Sequence, residues 1–130
     1  MIVVDASAIV EVLLNTPQAH RIGERLFAPG EVLSVPQLLD LEIAQTLRRY
    51  WLAGEVTAER VEEALEDLAA MRLNRYPHNL FLSRIWELRR NLTAYDAAYV
   101  ALAEALDAVL VTCDGAFPSA GGHQARVELF

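Results

Sequence analysis

Two short apolar runs near the two ends of the chain constrain its fold most. The first is Ile2-Val3-Val4 and the second is Ala108-Val109-Leu110-Val111. Neither run alternates apolar with polar residues, and continuous apolar runs of this length are typical of strands buried on both faces of a parallel sheet. The sequence therefore predicts that these two strands lie in the middle of a sheet with helices on both sides.

Helical and extended patterns alternate between these runs. Helices are predicted over residues 7–14, from a Thr16 cap and Pro17 to about 27, from Pro36 to about 52, from a Thr57 cap to about 70, over 80–90 and from a Thr93 cap to about 106. Further strands are predicted over 32–35, 71–76 and 127–130, with a loop over 118–123. This alternation favours an α/β fold, a three-layer α/β/α sandwich with a central parallel sheet, formed as one domain by residues 1–130.

Net charge limits the kinds of partner. The chain carries 18 acidic and 11 basic residues, a formal net charge of −7. Tight nonspecific binding to nucleic acid depends on basic side chains that neutralise phosphate, so this composition argues against it. It predicts instead a metal-dependent encounter or a basic partner. All the bases are arginine, which excludes a P-loop and a receiver-type phosphoacceptor domain, because both need a lysine.

The cysteine count and the apolar stretches bear on location. The one cysteine, Cys113, cannot form an internal disulfide, which suits a reducing compartment. No stretch approaches the roughly 20 apolar residues that span a bilayer, and the start of the chain lacks the pattern of a signal peptide. We therefore expect a soluble, cytoplasmic protein with no membrane partner.

Four acids occur where an α/β fold brings residues together. Asp5 follows the first apolar run, Asp114 follows the last, Asp96 lies in the first turn of a predicted helix and Glu42 lies inside another. Strand ends and the helix starts that follow them share one edge of a parallel sheet, where ligands bind. Four acids gathered there repel one another unless protons or cations balance them. Mg²⁺ and Mn²⁺ prefer carboxylate oxygens, so the sequence predicts a site for one of these ions.

Each acid also has a structural interpretation. Asp5 can cap the helix after it, Asp96 has the spacing of a capping box with the threonine before it, and Asp114 with the following glycine can form an ordinary turn. Glu42 fits such an interpretation least, because an acid between apolar residues on an inward face needs a partner.

Several segments together resemble one known family. These are Ile2-Val3-Val4-Asp5-Ala6-Ser7-Ala8, the internal Glu42, Leu92-Thr93-Ala94-Tyr95-Asp96-Ala97-Ala98-Tyr99-Val100-Ala101-Leu102-Ala103 and Leu110-Val111-Thr112-Cys113-Asp114. They resemble PIN-domain proteins, above all the VapC toxins of prokaryotic toxin–antitoxin pairs. The resemblance implies an endoribonuclease that depends on Mg²⁺ or Mn²⁺.

The resemblance also implies roles for individual residues. It carries the family's acids onto Asp5, Glu42, Asp96 and Asp114, and it suggests that Ser7 and Thr112 support the site by hydrogen bonds. From phosphodiester chemistry we assign Asp5 and Asp96 to a first metal, which Asp114 completes, and Glu42 to a second metal or to the attacking water. Two departures stand out: Asp107 where relatives often have glycine, and no further acid at Ala116 or Phe117.

Substrate and partner residues are predicted as well. Arg49 lies seven positions after Glu42 on the same helix, so the two share a face and Arg49 can reach substrate phosphate. Trp51 and Trp86 lie in aromatic-rich segments, which pack in a core or, where exposed, mark a partner surface. The resemblance implies a homodimer that binds a cognate antitoxin.

Two other functions remain open from the residues alone. One is a metal-dependent phosphatase or phosphotransferase on a similar sheet. Those of the haloacid-dehalogenase type need a second Asp two residues after the first, where this chain has Ser7, and they need a lysine. The other is a non-catalytic binding module, which has no need of clustered acids.

Overall fold

All five strands run parallel in a single sheet. The computed structural model describes residues 1–130. The strands are β1 (Ile2–Val4), β2 (Leu33–Pro36), β3 (Leu73–Tyr76), β4 (Val109–Thr112) and β5 (Val127–Leu129). Their order in the sheet is β3-β2-β1-β4-β5. The predicted α/β class with a central parallel sheet is confirmed.

The two apolar runs lie side by side in the middle of this sheet. Ile2 of β1 pairs with Leu33 of β2 on one side and with Val109 of β4 on the other. From β1 the chain extends the sheet through β2 to β3, and later it returns to the other side of β1 with β4 and β5. The direction of chain progress therefore changes between β1 and β4. In parallel sheets, the crevice beyond the carboxyl ends of such a strand pair is where ligands bind.

Helices cover both faces of the sheet. They are α1 (Ala6–Leu13), α2 (Ala19–Leu26), α3 (Leu39–Leu52), α4 (Ala58–Ala70), α5 (Leu82–Glu87), α6 (Ala94–Leu106) and α7 (Ala116–Ser119), with one 3-10 helix over His78–Phe81. Helix α6 packs across β1, β2 and β4 and also contacts α5. Helix α1 packs on β4 and contacts α2, α3 and α4. None of these helices has both the length and the apolar character to cross a membrane.

The predicted caps of α4 and α6 are present. Thr57 Oγ1 accepts a hydrogen bond from the Arg60 amide, and Thr93 Oγ1 accepts one from the Asp96 amide. Helix α6 ends at Asp107, which adopts the left-handed conformation with φ 48° and ψ 42°. Aspartate tolerates this conformation better than most residues, so the turn into β4 is kept without a glycine.

The predicted start of two helices is wrong. Helix α2 begins at Ala19 rather than at Pro17, because the Thr16 hydroxyl donates to the Glu11 carboxylate and does not cap the helix. Pro36 does not start α3 but ends β2, and α3 begins at Leu39. This change has a consequence for the site, because it places Glu42 in the first turn of α3 rather than in its interior.

Two further boundaries differ from the prediction. The helix expected over 80–90 divides into the 3-10 helix and the short α5, which ends at Glu87. The loop expected over 118–123 is partly helical, because α7 extends to Ser119.

Candidate functional site

Four acids line one cavity at the carboxyl edge of the sheet. Asp5 directly follows β1, Asp114 lies two residues after β4, and Glu42 and Asp96 lie in the first turns of α3 and α6. The cavity measures about 230 Å³ and is lined by Asp5, Ala6, Ser7, Val10, Glu11, Glu42, Thr46, Arg49, Tyr50, Asp96 and Asp114. The structure thus brings the four predicted acids, with Ser7 and Arg49, to the expected edge of the sheet.

One oxygen of Asp5 receives several hydrogen bonds. Its Oδ2 accepts from the Ser7 hydroxyl at 2.6 Å, from the Thr112 hydroxyl at 3.0 Å and from the Ser7 amide at 3.3 Å. The amide contact caps α1, so the structural interpretation of Asp5 is correct and compatible with a place in the cavity. All three of these hydrogen bonds end on Oδ2, and none of them involves Oδ1.

Backbone amides donate to both of these hydroxyl oxygens. The Cys113 amide donates to Ser7 Oγ at 2.9 Å, and the Asp114 amide donates to Thr112 Oγ1 at 2.9 Å. Because each hydroxyl oxygen already accepts from an amide, its own proton is free to be donated to Asp5. This arrangement ties the end of β4 to the end of β1. It also fixes the Asp114 side chain, whose Oδ1 accepts from the Ala116 amide at 2.8 Å.

Burial raises the pKa of three of the acids, and the charges of neighbouring carboxylates add to the effect on two of them, Glu42 and Asp96. Burial raises the pKa of Asp5. Burial, with the charges of Asp5 and Asp96, raises the pKa of Glu42 to about 7. Burial, with the charges of Asp5 and Asp114, also raises the pKa of Asp96. Adding negative charge to this cavity is therefore costly, and a cation bound there lowers the cost.

The donor set suits a hard divalent cation. All four predicted ligands are carboxylates, the donors that Mg²⁺ and Mn²⁺ prefer. Glu42 Oε1 is buried and has no hydrogen-bond partner, which is unfavourable for a carboxylate unless something binds it. As the side chains stand, no three His, Cys, Asp or Glu residues are close enough to hold one ion together. The chemical type of the side chains therefore suits a divalent metal, but metal binding requires the carboxylates to move closer together.

The cavity has a fifth acid that the sequence analysis missed. Glu11 lines it from α1, one turn beyond Ser7. Glu11 follows Ser7 by four residues, which places the two side chains on one face of the helix. This spacing is the sequence feature from which the position of Glu11 can be predicted. Thr46 and Tyr50 continue the same wall along α3, and the guanidinium of Arg49 donates to Thr46 Oγ1 at 3.4 Å. Arg49 is the one basic residue that lines the cavity.

Exposed apolar side chains form two surfaces near the cavity. The first, called here the α5 surface, is a groove of about 290 Å³ lined by Leu38, Leu41, His78, Leu82, Ile85, Ala94, Tyr95 and Ala98. Trp86 lies on α5 with 68% of its surface exposed. The second, called the α3-end surface, consists of Trp51 and Leu52, which are 50% and 58% exposed. The two tryptophans are therefore not part of the core.

Comparison with known proteins identifies a matching family and similar relatives. Residues 2–122 match the family model described as the PIN domain. The chain is 44% identical over 129 residues to Ribonuclease VapC9 of Mycobacterium tuberculosis, covering 99% of this chain and 98% of the relative.

Solved structures with the same fold include PAE2754 from Pyrobaculum aerophilum, with a TM-score of 0.70, 25% identity and coverage of 96% of this chain and 81% of that one. VapBC2 from Rickettsia felis, solved bound to a DNA fragment from the promoter, superposes with a TM-score of 0.69 at 18% identity, covering 99% of this chain and 98% of that one.

Proposed function

The chain belongs to the PIN-domain family, as a VapC-type ribonuclease toxin, and on that premise we propose that Asp5, Glu42, Asp96 and Asp114 form its active centre. Its activity is that of an endoribonuclease, the toxin of a toxin–antitoxin system. Relatives this similar over nearly the whole chain favour this activity over a phosphatase or a binding module. The observation that carries the proposal is the convergence of the four carboxylates on one cavity beside the β1–β4 crevice.

Ribonucleases of this family generally depend on a divalent metal, and we propose Mg²⁺ or Mn²⁺ here. Asp5 and Asp96 would hold the ion, Asp114 would complete its shell, and Glu42 would hold a second ion or orient the attacking water. Bound there, the metal would lower the pKa of a water molecule and neutralise charge that grows on the phosphate oxygens. We treat residues 1–130 as one PIN-like domain that contains this centre.

The chain's own residues prepare this centre. Ser7 and Thr112 hold the Asp5 carboxylate through Oδ2. The Ala116 amide holds Asp114. Without a cation, burial and the charges of Asp5 and Asp96 raise the pKa of Glu42 to about 7. A bound cation favours its charged form.

The substrate we propose is unpaired RNA. Nucleotides in loops are accessible, whereas duplex grooves hide their bases. Arg49 is the one basic side chain that lines the cavity, which supports our proposal that it binds a phosphate beside the scissile bond. The remaining charge around the cavity is negative, which disfavours binding of RNA in the absence of metal.

A cognate antitoxin is the partner that a toxin of this system requires. We propose that it covers the α3-end surface, because the exposed Trp51 and Leu52 end the same helix, α3, whose earlier residues line the acid cavity. A basic antitoxin side chain would then reach the carboxylates. We also propose a homodimer through the α5 surface, where Leu82 is 58% exposed and the neighbouring Trp86 is 68% exposed. Light scattering that shows a monomer at micromolar concentration would contradict the dimer.

Expression in cells tests the proposed function as a whole. Wild type produced without its antitoxin should arrest growth and generate new 5′ ends in cellular RNA. Asp5→Ala, produced at an equal level, should do neither, because it removes the carboxylate at the centre of the site. Asp67→Ala, an exposed acid on α4 outside the cavity, is the matched control and should behave as wild type. Growth arrest by Asp5→Ala would contradict the proposal.

A further inference from the structure

Two buried oxygen atoms near the acid cavity have no hydrogen-bond partner. They are Oη of Tyr99 and Oε1 of Glu42. Tyr99 is completely buried on α6. Leaving a buried polar group unpaired is unfavourable, and buried polar groups in native proteins nearly always have a partner. Both atoms therefore need an explanation.

The placement of Tyr99 is determined by its helix and by one aromatic contact. It lies three residues after Asp96 on α6, so the two residues share a face of the helix. Its ring meets the Phe117 ring edge to face, with centroids 6.4 Å apart and planes at 84°. Phe117 is also fully buried, and this contact restrains the phenol ring.

The hydroxyl of Tyr99 is a hydrogen-bond donor at any physiological pH. Burial, with the negative charges of Glu42 and Asp5 close by, raises the pKa of Tyr99 above its usual range, against a smaller opposing effect of the Ala6 backbone amide. An amide can only donate to the phenol oxygen, so it does not take up the phenol proton. Glu42 is the charge that affects this phenol most. The unpartnered atoms are thus complementary: a phenol with a proton to donate and a carboxylate oxygen that accepts.

We propose that Tyr99 is a positioning residue whose hydroxyl donates a hydrogen bond to the Glu42 carboxylate, directly or through one water, in the metal-bound protein. This inference rests on the proposed function. It adds a role for Tyr99, a residue that does not line the cavity. Its basis is the pair of unpartnered buried oxygens on α6 and α3. Tyr99 acts by holding Glu42 in place for the cation. Partners of this kind typically affect metal affinity by about 10- to 100-fold.

The test measures Mn²⁺ affinity by titration calorimetry on the full-length, antitoxin-free protein. Tyr99→Phe keeps the ring and its contact with Phe117 and removes only the hydroxyl. We expect it to weaken Mn²⁺ binding about tenfold, with the metal-free melting temperature at or above that of wild type. Tyr76→Phe, at the end of β3 and outside the cavity, is the matched control and should bind as wild type.

A double-mutant cycle with Glu42→Gln separates positioning from a general packing effect. In the Glu42→Gln background, Tyr99→Phe should cause no further loss of affinity. An equal tenfold loss in both backgrounds, or no loss in the single variant, would overturn the proposal. A crystal structure of the Mn²⁺-loaded wild type gives an independent answer, because Tyr99 Oη and the Glu42 carboxylate should be joined directly or by one water. Their separation without such a bridge would also overturn it.

Failure of this inference differs from failure of the proposed function. If wild type binds Mn²⁺ and cleaves RNA while Tyr99→Phe matches it in affinity, only the role of Tyr99 is wrong. If wild type neither binds Mn²⁺ nor cleaves RNA, both proposals are wrong.

Discussion

The hydroxyl of Thr112, the last residue of β4, donates a 3.0 Å hydrogen bond to Oδ2 of Asp5, the residue that follows β1. The two residues are 107 positions apart in sequence. Their contact joins the neighbouring strands at the point where the acid cavity begins. One of the hydrogen bonds to the buried carboxylate therefore comes from a hydroxyl far away in sequence, and its contribution to stability can be measured.

Thr112→Val should destabilise the metal-free protein. Valine has nearly the shape of threonine but cannot donate to Asp5 or accept from the Asp114 amide. Unpaired buried groups cost about 1–3 kcal/mol, so the free energy of unfolding should fall by about that amount. Thr112→Ser retains the hydroxyl, so its free energy of unfolding should fall by less than that of Thr112→Val. Urea denaturation in EDTA measures both variants, and equal stability of Thr112→Val and wild type would show that the contact contributes nothing.

The stability of the metal-free protein should depend on pH through Glu42. Its pKa rises from 4.5 to about 7 in the folded chain, because of burial and the charges of Asp5 and Asp96. The folded state thus holds this proton more tightly than the unfolded state does. The stabilising contribution is complete below the unfolded pKa of 4.5 and is lost as pH rises through about 7.

Glu42→Gln tests this dependence because glutamine stays neutral. Relative to wild type, the variant should gain stability on going from about pH 5 to about pH 8, since only wild type pays the cost of ionisation there. Denaturant unfolding with EDTA at the two pH values gives the difference. A difference that does not change with pH would contradict the assigned cause.

Divalent metal should stabilise the folded protein through the acid cavity. A ligand that binds only the folded state raises the melting temperature, and the rise grows with the logarithm of its concentration relative to its dissociation constant. Mg²⁺ or Mn²⁺ should therefore raise the melting temperature of wild type, and Asp5→Asn or Asp96→Asn should reduce that shift. Asp67→Asn, exposed on α4, should keep the full shift. Equal metal-induced shifts in wild type and the Asp5→Asn, Asp96→Asn double variant would place the binding elsewhere.

Arg49→Ala should weaken RNA binding more than the chemical step. Its guanidinium is the basic group of the cavity wall, whereas the carboxylates are proposed to do the chemistry. Its loss should raise KM severalfold and leave kcat closer to wild type. Arg48→Ala is the matched control, because Arg48 is exposed on the same helix but does not line the cavity. A fall in kcat with unchanged KM would assign Arg49 to the chemical step instead.

The sequence was most informative where position in the fold follows from local pattern. Asp5 and Asp114 follow strands, and Asp96 follows a threonine cap, so an ordered parallel sheet places all three at one edge. Glu42 was expected at the same edge, and the structure explains why. The helix that carries it starts at Leu39, which brings Glu42 to the first turn.

Other features depend on contacts that no local pattern contains. Thr16 has the sequence of a helix cap, but its hydroxyl binds Glu11 across the preceding turn. Pro36 resembles a helix start, but it pairs with Tyr76 as the last residue of β2. The role of Thr112 came from the family resemblance, and the hydrogen bond that explains it spans most of the chain. The unpartnered hydroxyl of Tyr99 becomes evident only when α6 is packed on the sheet.

Cleavage of RNA by the purified protein tests the central claim most directly. The substrate is a pool of structured RNA, incubated with wild type, Asp5→Ala and the control Asp67→Ala, each with Mg²⁺ or Mn²⁺ and each with EDTA. The proposed centre predicts cleavage in unpaired regions by wild type and Asp67→Ala with metal only, and none by Asp5→Ala while its fold persists. Equal cleavage by wild type and Asp5→Ala, or no cleavage of any RNA by metal-loaded wild type, would contradict the claim that the four carboxylates form a metal-dependent ribonuclease centre.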